Sequence, residues 1–261
     1  MPQNSIKTIQ KFKLDKKKFA TLTAYDYTSA KLVDSINIPL ILVGDSASMV
    51  VYGYDTTIPI SMNEMLFVVS SVVRGVKNAV VVADMPFMSY QSSIDKALEN
   101  AGIFIKDAGA GAVKLEGGAE IAETISAIVN IGIPVVAHVG LTPQSFHQMS
   151  GYSIQGKTSE TAEKILTDAI AVEKAGAFAL VLEGIPSELA KKITEIISIP
   201  TIGIGAGPHC DGQIQVFQDI LGLFDTFVPK HAKQFAQLSE AMANAIKQYK
   251  NEVESGEFPL K

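Results

Sequence analysis

Short apolar runs recur along the chain, and none has a polar alternate face. They are Phe19–Thr23 (FATLT), Pro39–Val43 (PLILV), Ala79–Ala83 (AVVVA), Ala112–Leu115 (AVKL), Pro134–His138 (PVVAH), Ala179–Leu182 (ALVL), Pro200–Ile204 (PTIGI) and Thr226–Pro229 (TFVP). All but the first are bounded on at least one side by Gly, Pro or an acid. Runs this short do not make helices. Runs that are apolar on both faces belong to strands covered on both sides, as in a parallel sheet.

Between the runs lie stretches with helical spacing of apolar residues: 61–74, 92–108, 119–130, 160–175, 186–197, 212–221 and 232–250. Glycine or proline stop signals follow several of them, as in Ala108-Gly109-Ala110-Gly111, Ile131-Gly132-Ile133-Pro134 and Ala175-Gly176-Ala177. Eight buried strands alternating with helices predict an α/β fold of the (β/α)8 TIM barrel kind, with residues 1–261 as a single domain. The rival is an open doubly wound sheet, which carries a glycine-rich turn after its first strand. The first strand of this chain is followed by Ala24-Tyr25-Asp26-Tyr27, without that turn. The segment Leu141–Thr158 has no strong period, and a loop of that length reads as a lid.

Composition narrows the function. Of 261 residues, 47% are hydrophobic and 19% charged, which excludes a disordered chain. One cysteine, Cys210, excludes a disulfide scaffold and fits a reducing compartment. Residues 1–18 hold six Lys and one Asp, a net +5, so the total of −5 leaves −10 on the remainder. The basic segment reads as the solvated face of a terminal helix, and the acidic remainder argues against a nucleic-acid partner. No apolar run approaches the roughly 18–20 residues of a membrane span, and the first residues lack an apolar secretory core. The expectation is a cytoplasmic protein acting on small molecules, with no membrane partner. Arg74 is the only arginine. A substrate carboxylate is then met by Lys, backbone N–H groups or a metal.

In a barrel the chemistry sits at the C-terminal strand ends. Those ends read Asp26, Gly44-Asp45-Ser46, Asp84, Glu116, His138, Glu183, Gly203–Gly207 and Lys230-His231. Asp45, Asp84, Glu116 and Glu183 are embedded in small or apolar neighbours (VGDSAS, VADMP, KLEGG, VLEGI). A carboxylate in such a place is costly unless paired or bound to a cation. Asp45, Asp84 and Glu116 come from consecutive strands about 4.8 Å apart, so their side chains can converge on one ion. An all-oxygen ligand set suits Mg2+, and no His/Cys cluster is spaced for zinc. The competing reading is that each acid caps a helix or pairs with Lys.

Lys114 lies two residues from Glu116 and shares its face. It serves either as a structural ion-pair partner or as a holder of a substrate oxygen. Ser46 either caps the following helix or binds substrate. Glu183, on the sixth strand and across the barrel from the metal candidates, has apolar neighbours that would raise its pKa toward a proton-transfer role. A helix cap before Pro186 is its other reading. His138 reads as a supporting donor or a satisfied core residue.

Taken together, these strand-end segments resemble the ketopantoate hydroxymethyltransferase (3-methyl-2-oxobutanoate hydroxymethyltransferase) family. The matching pieces are Thr23-Ala24-Tyr25-Asp26-Tyr27, Val43-Gly44-Asp45-Ser46, Ala83-Asp84-Met85-Pro86-Phe87-Met88, Val113-Lys114-Leu115-Glu116-Gly117-Gly118, His138-Val139-Gly140-Leu141-Thr142-Pro143-Gln144, Val181-Leu182-Glu183, Ile202–Gly207 with Asp211-Gly212-Gln213, and Pro229-Lys230. The resemblance departs at Pro208-His209-Cys210. It implies a phosphoenolpyruvate/pyruvate-domain-like barrel that transfers a hydroxymethyl unit from 5,10-methylenetetrahydrofolate to 3-methyl-2-oxobutanoate. The product is 2-dehydropantoate, and the reaction runs through a Mg-stabilised enolate. The resemblance implies Asp45, Asp84 and Glu116 as Mg2+ ligands. Asp45, Ser46, Asp84 and Lys114 would lie around the oxo acid, and Glu183 would be the proton acceptor. It also implies a cytoplasmic homo-oligomer similar to a decamer, and it assigns no residue to the folate. The alternative enzyme is a Mg-dependent 2-oxo-acid lyase or mutase of the isocitrate lyase type, for which no reactive-cysteine loop is present. A catalytically silent scaffold barrel is disfavoured by the five charges at the mouth.

Overall fold

The computed structural model describes residues 4–149, 151–223 and 232–260. Its elements run α1 (Ile6–Leu14), β1 (Phe19–Thr23), α2 (Tyr27–Ser35), β2 (Leu40–Val43), α3 (Ala47–Val50), α4 (Met62–Gly75), β3 (Val80–Asp84), α5 (Ile94–Lys106), β4 (Ala112–Glu116), α6 (Ala122–Asn130), β5 (Val135–Gly140), α7 (Phe146–Met149), α8 (Ser159–Lys174), β6 (Ala179–Glu183), α9 (Ser187–Ile196), β7 (Thr201–Ile204), β8 (Gly212–Gln215), α10 (Phe217–Leu221) and α11 (Leu238–Ser255). The strands form a closed barrel in the order β1 to β8, and each of the pairs from β1–β2 through β7–β8 is parallel.

The strands form where β-branched residues cluster, and β2, β3 and β4 are buried along their whole length. Helices begin where a hydroxyl or acid can satisfy free backbone N–H groups. Ser61 accepts from Glu64 N and Glu64 reaches back to Ser61 N, which starts α4. Thr158 and Thr161 do the same for α8, and Asp26 caps α2. Asp26 is thereby accounted for as a capping residue.

Helix α1 packs against the N-terminal end of the barrel. Ile9 is fully buried in a cluster with Leu40, Val80, Ala112, Val136, Ala179 and Ile202, which lie near the starts of their strands. Phe12 stacks on Phe19 with ring centroids 4.9 Å apart. Lys13 donates to Thr194 O (2.7 Å) and Asp211 Oδ2 (3.0 Å). Lys7 and Lys11 of α1 face outward, as the solvated-face expectation has it, whereas Lys13 does not; Lys16, Lys17 and Lys18 lie beyond the helix, and Lys18 Nζ donates to His209 O and Cys210 O.

The expected helix over 212–221 is corrected. Residues 212–215 form β8, with Ile214 buried in the core cluster, and only 217–221 are helical. Ile214, Phe217 and Ile220 are spaced as one helix face, which disguises the strand. The link from β7 to β8 covers 205–211 without a helix, an unusually short return for parallel strands. The expected strand at 226–229 and the strand-end pair Lys230-His231 lie outside the described residues.

The chain divides into two compact units, one running to Ile214 and the other starting at Gln215. In the second unit, α10 ends at Gly222 in the left-handed conformation, and α11 carries no buried residue. No helix among the described residues is long and apolar enough to cross a membrane.

Candidate active site

The sheet register brings the charged residues to one end of the barrel. Asp84 closes β3 opposite Lys114 of β4, Glu116 closes β4 opposite His138 of β5, and Glu183 closes β6 opposite Gly140 of β5. Asp45 and Ser46 follow β2 after the single residue Gly44. Asp45, Asp84 and Glu116 each offer an oxygen within 4.8 Å of the others, and all three are buried.

Lys114 Nζ donates to Asp84 Oδ1 (2.8 Å) and Oδ2 (2.9 Å) and lies 3.4 Å from Glu116 Oε1. The backbone N–H of Asp45 donates to Asp84 Oδ2 at 3.3 Å. Glu116 Oε2 accepts from the backbone N–H of Gln144 (3.0 Å), and Gln144 Nε2 donates to Asp45 Oδ2 (3.0 Å). Tyr90 Oη accepts from Glu116 N at 3.0 Å and lies 2.9 Å from Gln144 Oε1.

His138 is 1% exposed and stands between two acids. Its Nδ1 is 3.4 Å from Glu116 Oε1 and its Nε2 is 3.4 Å from Glu183 Oε2. Both contacts are longer than a well-formed hydrogen bond. Glu183 is therefore separated from Glu116 by a single imidazole, on a strand with only β5 between. The expectation that it lies across the barrel is corrected to this extent.

Ser46 makes no capping hydrogen bond to α3; its hydroxyl is 2.7 Å from Tyr25 Oη. A Cβ at Gly44 would sit 2.7 Å from Ser46 Oγ, so only glycine leaves that hydroxyl its place. Gly140 has φ +101, and a Cβ there would fall 2.4 Å from Glu183 O, the carbonyl that accepts from Leu141 N. Glycine lets the chain turn over the end of β6 beside Glu183.

These neighbours set the charge states. Burial drives the Asp45 carboxyl well above the usual carboxylate range, and the Asp84 and Glu116 charges add to it. Burial also raises Asp84, against the pull of Lys114. For Glu116 burial is outweighed by Lys114 and His138, which hold its carboxyl at about 2. Burial would lower Lys114, but Asp84, Glu116 and Asp45 keep its ammonium above its ordinary value. Burial pushes Glu183 up to about 7, with His138 opposing.

The donor set fits a hard dication. Three buried carboxylates face one buried ammonium, so full ionisation leaves two negative charges that Lys114 does not balance. All three offered ligand atoms are oxygens, as Mg2+ prefers. Without such an ion the ionised form of Asp45 is disfavoured, by burial first and then by the neighbouring Asp84 and Glu116 charges.

The other sequence candidates stand elsewhere. Cys210 is fully buried beside Lys18, at the N-terminal end of the barrel, opposite to the carboxylates. Gly205 and Gly207 adopt positive φ in the β7–β8 link, and Gln213 Nε2 donates to Gly207 O. Gln144 and Tyr25 stand in the matching segments without a role assigned from sequence, and Tyr90 is not among them. All three are neutral and lie outside the strands, so no charge cost marks them.

The profile of ketopantoate hydroxymethyltransferases matches residues 3–261. A 3-methyl-2-oxobutanoate hydroxymethyltransferase of Dehalococcoides mccartyi (strain CBDB1) is 54% identical over 257 residues, covering 98% of this chain and 92% of the relative. One from Geobacter metallireducens is 53% identical over 257 residues, covering 98% and 96%. Among solved structures, phosphonopyruvate hydrolase in complex with oxalate and Mg2+ superposes with TM-score 0.65 at 14% identity, over 98% of this chain and 88% of that one. 2,3-Dimethylmalate lyase, a member of the PEP mutase/isocitrate lyase superfamily, superposes with TM-score 0.62 at 18% identity, over 99% and 90%. At these identities the two structures share the fold.

Proposed function

The chain belongs to the ketopantoate hydroxymethyltransferase family, and on that footing we propose how its mouth residues carry out the family's transfer. The activity is addition of a hydroxymethyl group to 3-methyl-2-oxobutanoate. Asp45, Asp84 and Glu116 hold one Mg2+. When bound, that ion would supply a fixed positive charge beside the 2-oxo acid, which would make its C3–H more acidic. The convergence of the three buried carboxylates carries this reading.

Lys114 keeps Asp84 and Glu116 ionised and offers its ammonium to a substrate oxygen as negative charge grows there. Ser46, its hydroxyl fixed by Tyr25, binds the substrate's polar end. Glu183 accepts the C3 proton. Its carboxyl, at about 7, is the right strength for a base working near neutrality. His138 holds Glu183 and Glu116 apart while its imidazole faces both. Removal of the proton leaves a nucleophilic carbon, which bonds to the methylene carbon of 5,10-methylenetetrahydrofolate as one C–N bond breaks. Water supplies the hydroxyl to that carbon as the second C–N bond breaks, the two folate nitrogens take up protons, and 2-dehydropantoate and tetrahydrofolate are released. Glu183 is left with a proton to return to solvent or product.

The same reading carries a cytoplasmic location and a homo-oligomer of decamer type, which light scattering on the purified protein tests directly. The activity test is formation of 2-dehydropantoate from 3-methyl-2-oxobutanoate with the methylene folate. Product that appears only with the folate, stops with chelator and returns with Mg2+ is the expected result. Product formation that ignores chelator would refute the ion's part.

A further inference from the structure

Gln144 sits in the segment after β5, where no periodicity marks it, yet it is 5% exposed. Its backbone N–H donates to Glu116 Oε2 at 3.0 Å. Its Nε2 donates to Asp45 Oδ2 (3.0 Å) and to Met85 O (2.9 Å). Its Oε1 accepts from Tyr90 Oη and from Gln91 Nε2, both at 2.9 Å. The nitrogen thus faces two acceptors, and the oxygen faces the Gln91 amide and the Tyr90 hydroxyl, whose single proton is shared with Glu116 O, also at 2.9 Å. That pattern fixes which end is which.

The consequences fall on the acids. Asp45 Oδ2 is claimed by the amide, and Oδ1 carries no hydrogen bond among the described residues. Glu116 Oε2 is claimed by the Gln144 backbone, while Oε1 faces Lys114 and His138. The one residue therefore fixes the orientation of two carboxylates that stand on different strand ends. It also ties both to the carbonyl of Met85, the residue after Asp84. A donor that holds one oxygen of a carboxylate orients the other and sharpens its affinity for an ion.

We propose that Gln144 is a positioning residue for the ion site: it presents Asp45 and Glu116 in a fixed orientation and fastens the segment after β5 to the site. The proposal rests on reading Asp45, Asp84 and Glu116 as the ion ligands. It assigns Gln144 no contact with substrate.

The test uses the full-length chain, with Mn2+ as a spectroscopic probe titrated by electron paramagnetic resonance in the absence of substrates. Three proteins are compared: the parent, Asp84→Asn and Gln144→Met. Methionine keeps the volume of the side chain and removes both the donor and the acceptor. Loss of an orienting partner weakens a metal site by about 10–100-fold, and a weakening in that range is expected for Gln144→Met. The Mn2+-loaded, substrate-free Gln144→Met protein is also expected to show a broadened signal from a less uniform site. If Gln144→Met does not fold, Gln144→Asn, whose amide is one methylene short of Asp45, carries the same expectation. Mn2+ affinity equal to the parent's in the folded variant, whatever its melting temperature, overturns the proposal while leaving the ion site intact. Absence of Mn2+ binding in the parent, or equal binding in Asp84→Asn, overturns the ligand reading and the proposal with it.

Discussion

Lys114 Nζ lies 2.8 Å from Asp84 Oδ1 and 2.9 Å from Oδ2, and the two residues are direct partners across β3 and β4. A cation and an acid facing each other inside an apolar sheet are costly to bury singly and tolerable together. Their pairing shows that the mouth is built to hold charge. It also leaves Asp45 and Glu116 to be balanced by something else.

Breaking this pair leaves charge stranded in the interior. Lys114→Met in the metal-free protein is expected to lose about 3–5 kcal/mol of stability, the usual consequence of removing one partner of a buried ion pair. Urea unfolding in the presence of chelator measures this. A variant as stable as the parent would show that Asp84 and Glu116 are relieved by another route.

Ion binding should compete with protonation of Asp45. The Asp45 carboxyl is raised well above the usual range when no cation is present, so Mg2+ competes with a proton there. Mg2+ affinity is expected to rise with pH, and binding is expected to release protons. Calorimetric titrations in buffers of different ionisation enthalpy read the proton count. Identical heats in every buffer would contradict it.

The rate should follow the Glu183 carboxyl. A base is active when unprotonated, and this one is held at about 7 by burial. Exchange of the C3 proton of 3-methyl-2-oxobutanoate is expected to be full above that pH and to fall about tenfold per unit below it. Glu183→Gln should abolish exchange and leave Mg2+ binding mostly intact. Near-normal exchange in that variant would remove Glu183 from the base role.

The same raised carboxyl sets the sign of a stability effect. Glu183 binds a proton more tightly in the fold than its ordinary 4.5, so the folded state holds the extra proton between 4.5 and about 7. Its contribution is greatest at low pH and is lost as pH rises through that window. In chelator, thermal stability is expected to decline over this range, and the decline should vanish in Glu183→Gln. An unchanged slope would place the burial cost on another group.

Much of this site is readable from the chain. Asp84, Lys114 and Glu116 stand out because a charged residue at the end of a buried strand has a cost that must be met, and consecutive strands must be neighbours. Glu183 is legible as a perturbed acid. Its nearness to Glu116 through His138 is less so, because position around a closed ring follows from register. Gln144, Tyr90 and Tyr25 act through neutral hydrogen bonds, and a neutral side chain gives no sign in sequence that it is buried. β8 was hidden for a different reason: Ile214 lines up with Phe217 and Ile220 on a helical spacing although the first belongs to the sheet.

The central claim is that Asp45, Asp84 and Glu116 share one divalent ion. Crystals of the protein grown with Mn2+ and 2-dehydropantoate, measured at the manganese absorption edge, test it most directly. A single anomalous peak within coordinating distance of all three carboxylates, beside the oxo acid and facing Glu183, is the result the account predicts. A peak elsewhere, with the three carboxylates turned away from one another, would contradict it.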